Sequence, residues 1–357
     1  MIYLNNNKII INNPDAFRKA KPSDKQNIIK ILRNNLDISD YSIFFINNTY
    51  EAYTLLLHSI IVSYSKIGKP HIITNKMEDP HLLAILENFK TNGKISIGYV
   101  KSNIYGTINV NEIEYSIQKN KPCLIINSFL NYFTGSVNNV EKIGEVAHKY
   151  KIPLYCDCTY AFGKLPIQMN KQNIDIATFD LNLPGFSFIV IKNNLIKGYK
   201  LDYYSIKFKN DIENVNLVDP RAYGIAKAIL CDLYKNRKAK NKALVKLKNN
   251  FLKKNKYMYY SDFIAVNSKD IQNNNPIDLP DLIIFGKDIN ESSSAPHIIS
   301  ILKTSKSIKK NNVLFCKIPK GVFKNIGIID KWENKIITIG LSDSTKLCDI
   351  SEILKSL

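Results

Sequence analysis

Residues 123–157 read CLIINSFLNYFTGSVNNVEKIGEVAHKYKIPLYCD, and this stretch decides the fold class. It begins with an apolar run at 123–128 and ends with another at 154–157, and residues 140–149 between them have helical periodicity. Strands that are apolar on both faces and are separated by a helix indicate a parallel sheet covered on both sides. The stretch therefore predicts two parallel strands and a covering helix of a doubly wound α/β protein.

The same alternation of apolar runs and amphipathic stretches continues on both sides of this segment. It predicts strands at 43–46, 71–74, 95–100, 176–179 and 186–191, and helices at 50–65, 80–89 and 111–119. After about residue 200 it predicts a long, cation-rich helix at 222–250, then strands at 263–266, 282–285, 298–302 and 336–341 and a terminal helix at 351–357. We therefore expect a large α/β domain over residues 1–220 and a smaller α+β domain over residues 221–357, with residues 1–12 as a candidate to pack on the small domain.

Composition excludes several classes of protein. The 357 residues are 45% hydrophobic and 23% charged, which is ordinary for a globular protein and excludes wholesale disorder. No apolar run reaches the roughly 20 residues of a membrane span and no signal peptide is visible, so we expect a cytoplasmic protein with no membrane partner. The six cysteines match no metal-site spacing, and no metal is expected. Cys156 and Cys158 are expected on opposite faces of a strand.

The net charge of +19 follows from 50 Lys and Arg against 31 Asp and Glu. A charge of this size attracts nucleic acid and other polyanions. The chain is also crowded with Asn, Lys, Ile and Tyr, which is typical of an AT-rich genome, and many lysines then reflect codon usage on a solvated surface. Nucleic acid is therefore one candidate partner, and a solvated surface without a partner is the alternative.

Several segments, in order along the chain, resemble the NifS-like cysteine desulfurases of the class V aminotransferase fold. YCDCTYAFGK at 155–164 resembles the family's HVDAxQAxGK, and NVEKIGEVA at 139–147 resembles its IxxIGxxA helix. HIIT at 71–74, followed by Glu78-Asp79-Pro80, resembles its HIIT…EHP stretch. The resemblance implies the type I aminotransferase fold with a mostly parallel sheet, a C2 homodimer, and a pyridoxal 5′-phosphate cofactor bound to a lysine as a Schiff base. The composition fits a virus-encoded homologue, and it fits a host-restricted bacterium equally.

The resemblance assigns cofactor-binding roles to several residues of this chain. Asp157 stands where the family pairs a carboxylate with the pyridinium nitrogen, and Thr49 stands in the phosphate loop. Phe129 replaces the histidine that stacks on the ring. The remaining members of the implied set are Asn131, Tyr160 and Thr178. Structural alternatives stay open: a polar strand end for Asp157, a helix N-cap for Thr49 and a core side chain for Phe129.

Other parts of the family's site are replaced. Asp180-Leu181-Asn182-Leu183 stands where the family reads SGHK, so Leu183, which has no amine, takes the place of the Schiff-base lysine. Asp180 puts an anion at the phosphate position. The nearest lysines are Lys164 and Lys192, and Lys192 should lie at the far end of its strand. Residues 341–345 lack the arginine that clamps the substrate carboxylate, and Cys316 near the family's persulfide cysteine is either a nucleophile or a buried thiol.

We therefore expect a catalytically inactive NifS-like homologue with a binding or structural role, for example in a virion. Pyridoxal 5′-phosphate would bind it weakly and without a covalent link. Two alternatives stay open. One is an active pyridoxal-phosphate enzyme of altered chemistry, such as a cysteine desulfurase or transferase, and the other is a basic nucleic-acid-binding protein on the same scaffold.

Overall fold

The computed structural model describes residues 2–3, 24–103, 106–131, 133–183, 185–199 and 218–254, and short segments at 258–259, 282–285, 298–303, 313–314, 325 and 336–340. The helices are α1 (Asp24–Leu36), α2 (Thr49–Ser65), α3 (Pro80–Thr91), α4 (Val110–Asn120), α5 (Val140–Lys149), α6 (Asn193–Tyr199) and α7 (Pro220–Lys254). The strands are β1 (Ile2–Tyr3), β2 (Tyr41–Ile46), β3 (His71–Asn75), β4 (Ser96–Val100), β5 (Leu124–Ser128), β6 (Leu154–Asp157), β7 (Ile176–Leu183), β8 (Phe186–Lys192), β9 (Met258–Tyr259), β10 (Leu282–Phe285), β11 (Ile298–Lys303), β12 (Val313–Leu314) and β13 (Ile336–Gly340). The predicted strand at 263–266, the terminal helix at 351–357 and Cys316 lie outside the described residues.

A seven-stranded sheet in the order β2-β8-β7-β6-β5-β3-β4 lies at the centre of the large domain. All pairs from β7 to β4 are parallel, whereas β8 runs antiparallel to both of its neighbours, β7 and β2. The predicted mostly parallel α/β sheet is therefore confirmed. The antiparallel strand has a simple cause, because only two residues connect β7 to β8, and parallel strands need a much longer crossover. Gly185 makes this tight turn with a φ of +76°.

Helices cover both faces of the sheet, as predicted. The first core cluster, on one face, receives side chains from α1, α4, α5 and α7, and the second core cluster, on the other face, receives them from α2, α3 and α6. Alternate residues of one strand enter different clusters: Ile73 belongs to the first and Ile72 to the second. The apolar runs of the sequence thus have a direct cause, since neither face of these strands meets water.

Helix α7 begins at the predicted domain boundary and packs back on the large sheet. The Tyr223 ring lies 5.4 Å from the Phe45 ring and 5.7 Å from the Phe186 ring. Lys227 Nζ lies 2.7 Å from Asp24 Oδ1, which ties α7 to α1. Helix α1 was not predicted from the sequence, although its buried residues 28, 32 and 36 have helical spacing.

The C-terminal segments form a second sheet in the order β13-β11-β10-β9. The strands expected at 282–285, 298–302 and 336–341 are found there with bounds that differ by at most one residue. β1 pairs in parallel with β12, with Ile2 opposite Val313. The N-terminal strand thus joins a segment from the C-terminal part of the chain.

The two central cysteines share one face of the sheet. Cys156 and Cys158 are both fully buried in the first core cluster, and burial, with a smaller contribution from the neighbouring Cys158, raises the pKa of the Cys156 thiol. The expectation of opposite faces was wrong, because side chains two positions apart in an extended strand point to the same side. In the described part of the chain, no group of three or more His, Cys, Asp or Glu side chains is arranged to hold a metal ion. Nor does any helix there combine the length and apolarity needed to cross a membrane.

Candidate functional site

Two buried carboxyl groups mark the edge of the sheet where the parallel strands end. Ligands of doubly wound proteins bind at this carboxyl-terminal edge. Asp157 is the last residue of β6, and Glu78 follows the end of β3 by three residues. Only 3% of Asp157 and 1% of Glu78 is exposed. Within the described part of the chain, the donors that contact these two carboxyl groups are neutral, so neither carboxyl is balanced by a cation there.

Asp157 accepts hydrogen bonds from three groups of the chain. Tyr53 Oη of α2 donates to Oδ2 over 2.7 Å, while Thr159 N and Thr178 Oγ1 donate to Oδ1 over 3.0 and 3.1 Å. Burial raises the pKa of Asp157, and the hydrogen bonds from Thr159 and Tyr53 offset only part of that rise. Because Thr178 gives its proton to Asp157, the Tyr155 hydroxyl 3.1 Å away donates to Thr178 in turn.

Glu78 is held in a second polar cluster next to the first. Its carboxyl accepts from Ser128 N over 3.1 Å, and it also contacts Ser128 Oγ and Asn75 Nδ2. Burial raises the pKa of Glu78 to about 8, with a smaller contribution from the charge of Asp157. At neutral pH Glu78 is therefore mostly a neutral carboxylic acid, which removes much of the repulsion between the two groups.

The start of α2 differs from the expectation for Thr49. Asn48 is the N-cap, since its side chain accepts a hydrogen bond from Glu51 N over 2.9 Å. The alternative of Thr49 as a simple N-cap was therefore wrong. Thr49 is only 4% exposed, and its hydroxyl donates to Asp180 Oδ2 over 3.1 Å. The two residues expected at the phosphate position thus contact each other.

The other residues that the resemblance implies contact the protein core or a loop. Phe129 is buried in the first core cluster, and its backbone N donates to the carbonyl of Asp157. The side chain of Asn131 accepts from Phe133 N and Thr134 N and donates to the carbonyl of Gly106, and so it organises a loop. Tyr160 is partly buried and packs against the first core cluster. The structure brings Asp157, Thr178 and Phe129 together but gives Asn131 a separate set of partners.

Leu183 ends β7 as a buried side chain of the first core cluster, with 9% exposed. Lys192 lies at the opposite end of the sheet, as expected, where its Nζ is 4.0 Å from Oδ1 of Asp175, the residue just before β7. Lys164 lies in the turn after β6, where its carbonyl accepts a hydrogen bond from Asn241 of α7. Neither lysine takes the position of Leu183.

The residues at the positions that the resemblance assigns to the cofactor do not fit a covalently bound pyridoxal 5′-phosphate. A Schiff base needs an amine, and the side chain of Leu183 has none. A phosphate at the start of α2 would meet Asp180 and, in the first helical turn, Glu51. Asp157, which would face the ring nitrogen, already accepts hydrogen bonds from three groups of the chain.

Two residues of this edge were not predicted from the sequence. Glu78 entered only as part of a motif, and Tyr53 was not singled out. A signal existed for each: an acidic residue follows an apolar strand directly before Asp79-Pro80, and Tyr53 stands one helical turn after Thr49. The sequence does not reveal that both side chains are buried against their partners.

Comparison with known proteins agrees with this architecture. Residues 25–183 match the class-V aminotransferase family. The cysteine desulfurase IscS of Plasmodium falciparum is 29% identical over 164 residues, which are 44% of this chain and 28% of that protein. IscS of Pectobacterium carotovorum is 30% identical over 137 residues, which are 38% of this chain and 33% of that protein. The chain thus spans about a third of the length of these curated relatives.

Solved structures resemble the chain over nearly its whole length. A NifS-like protein from Rickettsia africae has a TM-score of 0.73 at 18% identity and covers 100% of this chain and 98% of its own. The apo cysteine desulfurase of Thermococcus onnurineus has a TM-score of 0.77 at 14% identity and covers 99% of this chain and 93% of its own. At these identities the likeness establishes the fold. The chain therefore has the aminotransferase fold of NifS-like proteins and, over residues 25–183, matches the class-V aminotransferases.

Proposed function

We propose that this protein is a non-catalytic relative of the cysteine desulfurases that acts by binding or as a structural component, such as a virion protein. The observation that carries the proposal is Leu183. It ends β7 as a buried side chain of the core, at the position where the resemblance places the Schiff-base lysine. Without an amine there, the covalent chemistry of the family has no starting point.

The surroundings of Leu183 support the same proposal. Asp180 adds a negative charge where the phosphate would lie, and its carboxylate accepts a hydrogen bond from Thr49. Lys192 pairs with Asp175 at the other end of the sheet and so offers no replacement amine. These changes act on different parts of the chemistry, and each of them opposes cofactor binding or imine formation.

A reductive trapping experiment tests this proposal. We expect wild-type protein incubated with pyridoxal 5′-phosphate and then treated with borohydride to carry no stoichiometric label on the lysines of residues 24–199 and 218–254, because no lysine that the structure describes there takes the position of Leu183. Peptide mass spectrometry measures the label, and an active cysteine desulfurase treated in parallel is the positive control. Leu183→Lys is the matched variant, since it returns an amine to the end of β7. A reducible adduct on one wild-type lysine would refute the non-catalytic assignment.

Nucleic-acid binding is a second candidate, and one surface favours it. Four exposed lysines of α7 are spaced by three or four residues and so form one stripe on the helix, the basic stripe: Lys235, Lys238, Lys242 and Lys246. The opposite side of α7 is buried through Leu230, Leu233 and Leu244. The stripe extends about 16 Å along the helix, enough to contact several phosphates of one strand.

The second candidate makes a salt-dependent prediction. If the basic stripe binds nucleic acid, changing its four lysines to Gln should weaken binding to single-stranded DNA and lower the slope of log affinity against log salt by about 3. Fluorescence anisotropy across a salt series measures both quantities. The control variant changes four exposed lysines elsewhere to Gln, at Lys66, Lys94, Lys119 and Lys121. An equal loss in the control would assign binding to net charge, and micromolar or weaker wild-type binding at physiological salt would reject the candidate.

A further inference from the structure

Helix α2 places two hydroxyl groups on two carboxylates at the carboxyl-terminal edge of the sheet. Thr49 and Tyr53 are four residues apart, so they lie on the same face of α2, about 6 Å apart along its axis. Thr49 Oγ1 donates to Asp180 Oδ2 over 3.1 Å, and Tyr53 Oη donates to Asp157 Oδ2 over 2.7 Å. One face of a single helix thus contacts the ends of two neighbouring strands, β7 and β6.

The contact between Tyr53 and Asp157 is withdrawn from water. Tyr53 is 1% exposed and Asp157 is 3% exposed. A buried carboxylate that lacks a donor is strongly unfavourable, so the donor must come from a ligand or from the protein itself. Burial and the charge of Asp157 raise the pKa of the Tyr53 phenol well above its ordinary value, and the phenol therefore keeps the proton that it donates.

We propose that α2 is a built-in occupant of the cofactor site, a proposal that rests on the non-catalytic function proposed above. Tyr53 gives Asp157 the hydrogen bond that a ring nitrogen would give. The Asp180 carboxylate takes the hydrogen bond from Thr49 that a phosphate would take. The polar groups that the resemblance assigns to a cofactor thereby hold the helix against the sheet.

This proposal accounts for Asp157 in a chain that has Leu183 in place of the lysine. As a cofactor ligand, Asp157 would belong to a site that cannot form the covalent link. As an acceptor for Tyr53, Thr159 and Thr178, it connects α2 to β6 and β7. The same carboxylate serves as a structural joint between the helix and the sheet.

A double-mutant cycle tests the joint through thermal stability. We expect Tyr53→Phe to lower the melting temperature by about 2 to 4 °C at pH 7, because it removes a hydrogen bond to a buried carboxylate and keeps the ring. In an Asp157→Asn background the same change should lower it by less than half as much. Tyr41→Phe is the matched control, since the Tyr41 hydroxyl is also buried but donates to the carbonyl of Ile174. Additive effects of Tyr53→Phe and Asp157→Asn would overturn the proposal.

Calorimetric titration with pyridoxamine 5′-phosphate tests the occupancy. This probe carries an amine in place of the aldehyde and cannot form an imine with a lysine, so its binding does not depend on Leu183. We expect Tyr53→Ala to bind it at least tenfold more tightly than the wild type, with inorganic phosphate as the control titrant. Equal affinities, or binding by neither protein, would contradict the proposal that α2 occupies the site. Neither outcome would change the conclusion of the trapping experiment. A trapped adduct in the wild type would instead refute the non-catalytic function. The coupling of Tyr53 to Asp157 that the double-mutant cycle measures would still stand.

Discussion

Replacing Glu78 by Gln should make the protein more stable than the wild type at pH 8 by up to about 5 kcal/mol, with little difference at pH 4.5. The cause is the pKa of Glu78, which burial raises from 4.5 to about 8. Between these values the unfolded chain releases a proton that the folded protein keeps, so stability falls as pH rises. Below pH 4.5 both states hold the proton, and the contribution of Glu78 to stability is fully present. The neutral amide of Gln removes this pH dependence.

Urea unfolding at pH 4.5, 6.5 and 8 measures the effect. The difference between Glu78→Gln and the wild type is the informative quantity, because other groups, including Asp157, also titrate. Gln can keep the contacts to Ser128 and Asn75, since it has both a donor and an acceptor. Glu145→Gln on the exposed side of α5 is the control, since it also replaces a carboxyl by an amide but lies outside the polar cluster of Glu78. A Glu78→Gln variant whose stability falls with pH as steeply as that of the wild type would contradict the burial argument.

Gly144→Ala should destabilise the protein by about 2 to 3 kcal/mol, although Ala is the better helix former. A Cβ at Gly144 would lie 2.5 Å from the carbonyl oxygen of Gln172 and 2.7 Å from Cβ of Asn173. Backbone cannot move aside like the end of a flexible side chain, so α5 or the loop must shift. Elsewhere in a helix the same change gains about 1 kcal/mol, and here the overlap outweighs that gain.

Chemical denaturation monitored by circular dichroism measures this loss. Glu145→Ala on the same helix is the matched control, because position 145 is exposed and the change should stay within about 0.5 kcal/mol. A Gly144→Ala variant as stable as the control would show that the loop at 172–173 yields without cost. The close approach of α5 to that loop would then not be a constraint on the fold.

Much of the large domain could be predicted because its strands are apolar on both faces. The helix at 140–149 and the strand at 154–157 were predicted with the observed bounds. Helix α1 was missed, since polar residues dominate its sequence and its three core positions are four residues apart. The antiparallel direction of β8 depends on a two-residue connection, which apolar periodicity alone does not reveal.

The candidate site was harder to predict than the fold. The resemblance drew attention to Asp157 and Thr49, but their partners Tyr53 and Asp180 come from elements distant in sequence. The pKa of Glu78 depends on burial, which arises only when β3 and β5 are assembled. The homodimer, the roles of the implied cofactor residues and the function of Cys316 stay predictions.

The contact between α1 and α7 has a consequence for synthesis on the ribosome. Asp24 and Lys227 are separated by 203 residues, and α7 is the main packing partner of α1. At about 5 to 20 residues per second, the ribosome needs roughly 10 to 40 seconds to make the partner of a helix that has already emerged. During that interval the apolar side of α1 lacks its main cover, and we expect it to be open to chaperones. We expect a nascent chain that stalls before α7 to keep this surface exposed.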